Sequence, residues 1–142
     1  LDEPEATARA LRGGWLHTGD VGSLDAAGRL SIAARRDDLI VTGGENVYPA
    51  EVEAALMAHP DVLAACVVGA PDPTWGQRVA AAVALREGSA ATVAELEATV
   101  RRSLAGFKVP RRWRLVGEAE LPRTASGKVR RGEVAGWFAE SS

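Results

Sequence analysis

Three polar segments of the sequence place a charged residue beside glycine, a combination that suits contact with a ligand. They are TGD at residues 18–20, TGGE at residues 42–45 and TASGK at residues 124–128. Glycine lets the backbone approach a ligand closely and adopt a positive φ angle. The neighbouring carboxylate or ammonium group then supplies a directed contact. Because turns are rich in the same residue types, each segment taken alone also fits an ordinary turn.

The composition limits the classes of protein and of site that the chain can form. Its 142 residues, 46% hydrophobic and 25% charged, suffice for one compact domain, or for one domain and a piece of a neighbour. A net charge of -2 gives no overall basic field for nucleic acid. The single cysteine, Cys66, and two histidines form neither a disulfide nor a structural zinc site, so we expect no metal site and a buried, inert thiol. The sequence shows no signal peptide and no apolar run of membrane-spanning length, which favours a cytoplasmic protein without a membrane span.

The polar segments lie between apolar runs that predict the elements holding them. Alternating residues predict a hairpin at residues 21–25 and 29–32. The charged run RRDD at residues 35–38 interrupts this pattern, and we place a domain boundary there. Beyond it, apolar runs predict strands at residues 39–41, 45–48, 62–68, 79–85 and 113–116, with helices beginning at Pro49 and spanning residues 93–104 and 129–138. This order predicts an α+β domain with helices packed on a small sheet.

Finer features of the pattern predict how these elements begin and end. Pro49 suits the first turn of its helix, whose apolar stripe is predicted to include Leu56 and Met57. Thr92 and Glu95 have the spacing of a capping box. Residues 72–77 and 122–127 are predicted to be loops.

Taken together and in this order, the polar segments resemble motifs of the adenylate-forming superfamily, which comprises acyl-CoA synthetases, adenylation domains of peptide synthetases and luciferases. The resemblance rests on WLHTGD at residues 15–20, RRDDLI at 35–40, GGENVYP at 43–49 and PRTASGK at 122–128. It extends from Gly14 to about Phe138. Two residues depart from the motifs, because Leu16 replaces an aromatic residue and Ala34 a glycine.

For the adenylation half-reaction, the resemblance implies roles for three charged residues. Asp20 matches the aspartate that holds the ribose hydroxyls of ATP, and Arg35 matches an arginine that also reaches the nucleotide. Lys128 matches the lysine that bridges the carboxylate substrate and the α-phosphate. The alternatives are a surface charge at Arg35 that pairs with Asp37 or Asp38, and a solvated loop lysine at Lys128.

For the thioester half-reaction, the resemblance implies a second set of residues. Asp37 matches the hinge about which the C-terminal domain swings, and the swing replaces the Lys128 loop at the active site by the hairpin of Gly43, Gly44 and Glu45. Trp75 and Phe107 match aromatics that lie against CoA; ordinary partial burial is the alternative. Positive charge at Lys108, Arg111 and Arg112 suits the phosphates of CoA, or forms a solvated basic face.

The resemblance also implies the organisation of the protein. Residues 1–36 correspond to the last segment of a large N-terminal domain and residues 37–142 to a mobile C-terminal domain. The phosphate loop and acyl pocket of the family are missing, so we expect the chain alone to be inactive. The implied partners are a small carboxylic acid, ATP, CoA and the missing N-terminal domain, with Mg²⁺ bound outside this chain.

The acceptor and the acid remain open at this point. The sequence of residues 35–53 resembles that of o-succinylbenzoate–CoA ligases of menaquinone synthesis, with benzoate-, malonate- and fatty-acid–CoA ligases as alternatives. The acceptor is either CoA or the phosphopantetheine arm of a carrier protein. A third reading is a non-catalytic binding module that keeps the fold.

Overall fold

The computed structural model describes residues 3–139, so the outermost residues of both predicted domains, 1–2 and 140–142, lie outside the described part. Its strands are β1 (Asp20–Leu24), β2 (Leu30–Arg35), β3 (Ile40–Thr42), β4 (Glu45–Val47), β5 (Val62–Asp72), β6 (Gly76–Leu85) and β7 (Arg112–Val116). Its α-helices are α1 (Pro4–Ala10), α2 (Pro49–Met57), α3 (Val93–Arg101) and α4 (Arg131–Gly136). The structure therefore confirms the α+β class.

The chain divides into two compact units, Leu1–Asp37 and Asp38–Ser142. The first contains α1 and the antiparallel hairpin of β1 and β2. Asp25 closes the hairpin turn, since its Oδ1 accepts hydrogen bonds of 2.9 Å from the amides of Ala27 and Arg29. Large apolar side chains of this unit are more than half exposed, namely Leu11, Trp15, Leu16, Leu24, Leu30 and Ile32.

The second unit is built on a five-stranded sheet whose centre is β6. One edge of β6 pairs with β5 in antiparallel fashion along almost its whole length. The opposite edge is shared, because β3 pairs with it only at Thr42 and Gly76, whereas β7 runs parallel to it from Ala80 to Ala84. Between these two partners, the carbonyl of Val79 accepts a single hydrogen bond of 2.8 Å from the Arg111 amide. This interruption in strand pairing is where the cleft described below opens.

Alternating residues of β6 supply an apolar core to each face of the sheet. Val79, Ala81 and Val83 belong to the core that includes Val52 and Leu56 of α2 and Leu96 and Val100 of α3. Ala80, Ala82 and Ala84 belong to the core that includes Val134 of α4 and Phe138. Because both faces are covered, β6 reads as a continuous apolar run rather than as an alternating one.

The helix starts follow the predicted local chemistry. Pro49 occupies the first turn of α2. At α3, the Thr92 amide donates to Glu95 Oε2 at 2.7 Å and the Glu95 amide donates to Thr92 Oγ1 at 3.3 Å, which confirms the capping box. No helix within residues 3–139 combines the length and the apolar character needed to cross a membrane.

Some predicted element limits were wrong. The loop expected at residues 72–77 shrinks to a turn, because β5 and β6 remain paired as far as Asp72 and Gly76. Met57 is 48% exposed and does not join the apolar stripe of α2. Helix α4 begins only at Arg131, since Val129 forms a β-bridge with Arg123 instead; α3 ends at Arg101, before residue 104.

Candidate functional site

The hairpin of the first unit brings Asp20 and Arg35 together. They are paired in the register of β1 and β2, and Arg35 Nε lies 3.7 Å from Asp20 Oδ1. The Asp20 amide donates to Thr18 Oγ1 at 3.2 Å, which fixes the start of the strand. Both side chains retain access to solvent. Arg35 therefore forms an ion pair with Asp20, and not the alternative pair with Asp37 or Asp38.

The loop that carries Lys128 is held by its own hydrogen bonds. The Thr124 amide donates to the Lys128 carbonyl at 2.8 Å, and the Lys128 amide donates to Thr124 Oγ1 at 3.2 Å. Arg123 Nη1 donates to the Gly127 carbonyl at 2.9 Å, and Gly127 has a φ of 83° that an L-residue rarely adopts. Lys128 itself is exposed. The loop thus fixes the backbone and leaves the ammonium group accessible.

Gly43 and Gly44 form the two-residue turn between β3 and β4. Their φ angles of 58° and 85° are both positive, as this kind of tight hairpin requires. The Gly43 amide donates to the Trp75 carbonyl at 3.0 Å. A Cβ atom at Gly43 would lie 2.4 Å from Trp75 Cε3, so the indole packs directly on the glycine. Glycine is therefore needed at position 43 for both backbone conformation and space.

Asp72 holds Trp75 in that position. Its Oδ1 accepts hydrogen bonds of 2.9 Å from the amides of Thr74 and Trp75, and its Oδ2 accepts one from Arg78 Nε. The bond from the Trp75 amide is the main reason why the pKa of the Asp72 carboxyl lies below its ordinary value. The Arg78 guanidinium carbon also lies 5.7 Å from the centre of the Trp75 ring, within the range of a cation–π contact.

The glycine hairpin and the two candidate aromatics meet in one cleft of about 280 Å³, at the interruption in strand pairing along β6. Its lining residues are Thr42, Gly43, Glu45, Trp75, Arg78, Val79, Phe107 and Arg111. Trp75 is 48% exposed and Phe107 is 41% exposed, so both rings remain available to a ligand. The cleft combines apolar ring surface, glycine backbone and cationic side chains.

Of the three basic residues that the sequence singled out, only Arg111 lines this cleft. Lys108 Nζ instead donates to Glu51 Oε2 at 2.8 Å, and Arg112 Nη1 donates to the Phe138 carbonyl at 3.0 Å. Arg78 and Asp72 were not among the residues that the sequence indicated as functional. An aspartate followed closely by proline is a turn signal, but nothing local in the sequence indicates that its carboxylate orients a tryptophan.

The other candidate residues lie outside the cleft. Lys128 and Gly44 do not line it, and Asp37 is exposed in the short 3-10 turn Arg36–Asp38. Cys66 is only 1% exposed, and burial raises the pKa of its thiol to about 11. In residues 3–139 no three His, Cys, Asp or Glu side chains cluster closely enough to hold a metal ion.

Comparison with known proteins finds one matching family and several relatives of high identity. Residues 51–128 match the family described as the AMP-binding enzyme C-terminal domain. The chain is 53% identical over 131 residues to a 2-succinylbenzoate–CoA ligase of Geobacillus kaustophilus (strain HTA426), covering 92% of this chain and 26% of that protein. It is 47% identical over 131 residues to a feruloyl-CoA synthase of Amycolatopsis sp., covering 92% of this chain and 26% of that protein. The chain thus spans about a quarter of the length of these relatives.

Solved structures also resemble the chain in fold. An o-succinylbenzoate CoA synthetase (MenE) from Bacillus subtilis, in complex with its acyl-adenylate intermediate, superposes with a TM-score of 0.85 at 40% identity, covering 94% of this chain and 27% of that one. An amide bond synthetase, McbA, from Marinactinospora thermotolerans superposes with a TM-score of 0.84 at 44% identity, covering 96% of this chain and 27% of that one.

Proposed function

Because this chain belongs to the family of AMP-binding enzyme C-terminal domains, we propose that it is the C-terminal part of an ATP-dependent acyl-CoA synthetase. The enzyme would join a carboxylate to the α-phosphate of ATP with release of pyrophosphate. It would then transfer the acyl group from AMP to the thiol of CoA. The observation that carries the proposal is the cleft, because it gathers the glycine hairpin, Trp75 and Phe107 beside two arginines.

In the adenylation step, three residues of this chain would act on the nucleotide. A carboxylate accepts two hydrogen bonds at once, which suits Asp20 to the two ribose hydroxyls. Arg35, beside it in the hairpin, would contact the same nucleotide. Lys128 would stabilise the charge that develops as the carboxylate attacks the α-phosphate and pyrophosphate leaves. The accessible ammonium group on a fixed loop supports that role.

In the thioester step, the cleft would receive the pantetheine end of CoA. Ring surface at Trp75 and Phe107 suits its apolar stretch, and Arg111 supplies positive charge for a phosphate group. The glycine turn would bring backbone without a side chain beside the reacting thioester, where a side chain would obstruct the approach.

The two steps would alternate by a swing of residues 37–142 against the large N-terminal domain, about a pivot at Asp37. Residues 1–36 would form the last segment of that domain. The division of the chain between Asp37 and Asp38 supports this organisation. So do the exposed apolar side chains of the first unit, which would pack against the rest of the N-terminal domain.

For the acid, we propose o-succinylbenzoate, and hence a role in menaquinone biosynthesis. The support is the identity of 53% with one 2-succinylbenzoate–CoA ligase and 47% with a second, from Geobacillus sp. (strain WCH70). ATP and CoA as cosubstrates favour the cytoplasm. Mg²⁺ would accompany ATP and bind outside this chain.

The test uses the full-length protein that contains this chain. Pyrophosphate release is measured with o-succinylbenzoate, ferulate, benzoate, malonate and a fatty acid. Each acid that reacts is then offered CoA, a phosphopantetheinylated carrier protein or an amine as acceptor. We expect adenylation of o-succinylbenzoate and transfer to CoA. Faster transfer to the carrier protein or to the amine would mean that CoA is not the acceptor. Absence of pyrophosphate release with every acid would favour a non-catalytic module.

A further inference from the structure

Arg131, the first residue of α4, binds side chains and backbone from three other parts of the second unit. Its Nη1 lies 2.6 Å from Glu53 Oε1 on α2, and its Nη2 lies 3.4 Å from Glu53 Oε2. Nη1 also donates to the Val67 carbonyl on β5. Its Nε lies 3.6 Å from Asp38 Oδ2. One guanidinium group thus joins a helix, a strand and the residue that follows the proposed pivot.

Two of these contacts fix Arg131 to the edge of the sheet. β5 pairs with β6 on one side; on its other side, the Val67 amide donates to Glu53 Oε1 at 2.8 Å while the Val67 carbonyl accepts from Arg131. The Glu53–Arg131 pair therefore satisfies both backbone groups of Val67, as a neighbouring strand would. The Glu53 side chain is only 20% exposed, so this end of the contact is shielded.

The contact with Asp38 differs from the contact with Glu53. It involves one nitrogen at 3.6 Å, and the Asp38 side chain is 37% exposed. A longer, more exposed ion pair is weaker and is the one that breaks first when the chain moves. Arg131 is thus held firmly to the sheet and loosely to the side chain of Asp38, the residue that follows Asp37.

The place of Arg131 in the sequence connects this geometry to the Lys128 loop. The loop ends three residues before Arg131, and the Arg130 amide donates to the Pro122 carbonyl at 2.8 Å, which closes its base. A displacement of Arg131 therefore also displaces the base of the loop that presents Lys128.

We propose that Arg131 is a positioning residue that links the Lys128 loop to Asp38 and so couples the pivot to the placement of the lysine. The proposal rests on the function proposed above. Glu53 and Val67 keep the base of the loop on the sheet, while Asp38 connects that base to the segment that must turn. Loss of the Asp38 contact should disturb adenylation, which needs Lys128 in place, more than transfer to CoA.

The test compares four variants of the full-length protein: Asp38→Asn, Asp38→Glu, Arg131→Lys and Arg130→Gln. Arg130 is the matched control, because it is an adjacent arginine whose side chain, within residues 3–139, pairs only with exposed Glu133, at 2.8 Å. Single-turnover adenylation is measured with acid and ATP, and single-turnover transfer with supplied acyl-adenylate and CoA. The readout is the ratio of the two rates.

We expect Asp38→Asn to lower adenylation relative to transfer by about threefold, within the range that loss of a partly exposed ion pair produces. Asp38→Glu, which keeps the carboxylate, should restore part of the ratio, and Arg130→Gln should leave it at the wild-type value. An unchanged ratio in Asp38→Asn, a shift in the opposite direction, or an equal shift in Arg130→Gln would overturn the proposal.

A second readout separates this proposal from the function on which it rests. Hydrogen exchange of residues 122–131 reports the rigidity of the loop without any activity. Arg131→Lys, which loses the bidentate contact with Glu53, should speed exchange there, whereas Arg130→Gln should not. If the wild-type protein catalyses neither step, the proposed function fails; if exchange is unchanged in Arg131→Lys, the role of Arg131 fails in either case.

Discussion

At the scale of single residues, Lys128 combines an exposed ammonium group with a backbone held by hydrogen bonds to Thr124. A compact charge on a long stem can enter a site and leave it again as the loop moves. The fixed backbone limits the positions that the ammonium group can occupy. This arrangement suits a residue required in one half-reaction and absent from the next.

We expect Lys128→Ala in the full-length protein to slow adenylation by about 10²- to 10³-fold, the usual effect of losing one preorganised contact to a transition state. Transfer to CoA from supplied acyl-adenylate should be nearly unchanged. Single-turnover measurements of both steps make the comparison, with Arg130→Ala as an exposed cation two residues away. Equal losses in both steps would argue against alternation of the two sites.

Asp72 gives a second prediction at this scale, concerning pH. Its lowered pKa, caused first by the Trp75 amide, means that the bonded carboxylate stabilises the folded state at any pH above its ordinary value of 3.8. This stabilisation is lost as the pH falls through the lower pKa of the folded state. Denaturant unfolding of wild type and Asp72→Asn should therefore show a stability difference that is constant near neutral pH and shrinks below 3.8. A difference that persists undiminished in acid would mean that the carboxylate charge is not what holds the turn.

At the scale of elements, the turn between β3 and β4 and the turn between β5 and β6 form one packed unit. The indole of Trp75 lies against Gly43, while a Cβ at Gly44 would meet no atom of residues 3–139 within 4 Å, its two chain neighbours apart. The two glycines thus share a positive φ but differ in their surroundings, which makes each a control for the other.

We expect Gly43→Ala to destabilise the fold more than Gly44→Ala. Both variants carry left-handed strain of about 1–2 kcal/mol, and only the first adds overpacking against the indole, which costs about 1–3 kcal/mol more. In a Trp75→Ala background the difference between the two alanine variants should disappear. Denaturant unfolding of the six proteins tests this, and a difference that survives removal of the indole would contradict the packing.

The same elements show what the sequence can and cannot predict. The strands β3, β5, β6 and β7 and the starts of α2 and α3 follow from apolar runs, Pro49 and the Thr92 capping box, all of which are local signals. The contact of Trp75 with Gly43 joins residues far apart in the chain, and no local pattern encodes it. Pairing through Asp72 was missed because aspartate and proline signal a turn, whereas the register of the long hairpin continues as far as Asp72 and Gly76.

At the scale of the whole molecule, the two units differ in how they bury apolar surface. The second has a core on each face of its sheet, covered by its own helices. The first leaves Trp15, Leu24 and Ile32 among its exposed side chains. A unit with its own cores can move as one body. Exposed apolar side chains, in contrast, are typical of a surface that packs against another part of a protein. Asp37, the last residue of the first unit, stands where such motion would be concentrated.

Asp37→Pro tests whether motion at this position couples the two half-reactions. Proline fixes φ near −65°, removes one N–H group and restricts Arg36 before it. If the domain pivots here, one orientation is trapped, and we expect adenylation to survive better than transfer to CoA. Asp37→Ala, which removes the carboxylate but leaves the backbone free, is the matched control and should retain both steps. Should both rates of Asp37→Pro stay within about threefold of wild type, a barrier change of only about 0.65 kcal/mol, Asp37 is an ordinary surface residue. The pivot would then lie elsewhere in residues 35–39, and the Asp38 contact of Arg131 would be the first place to look for it.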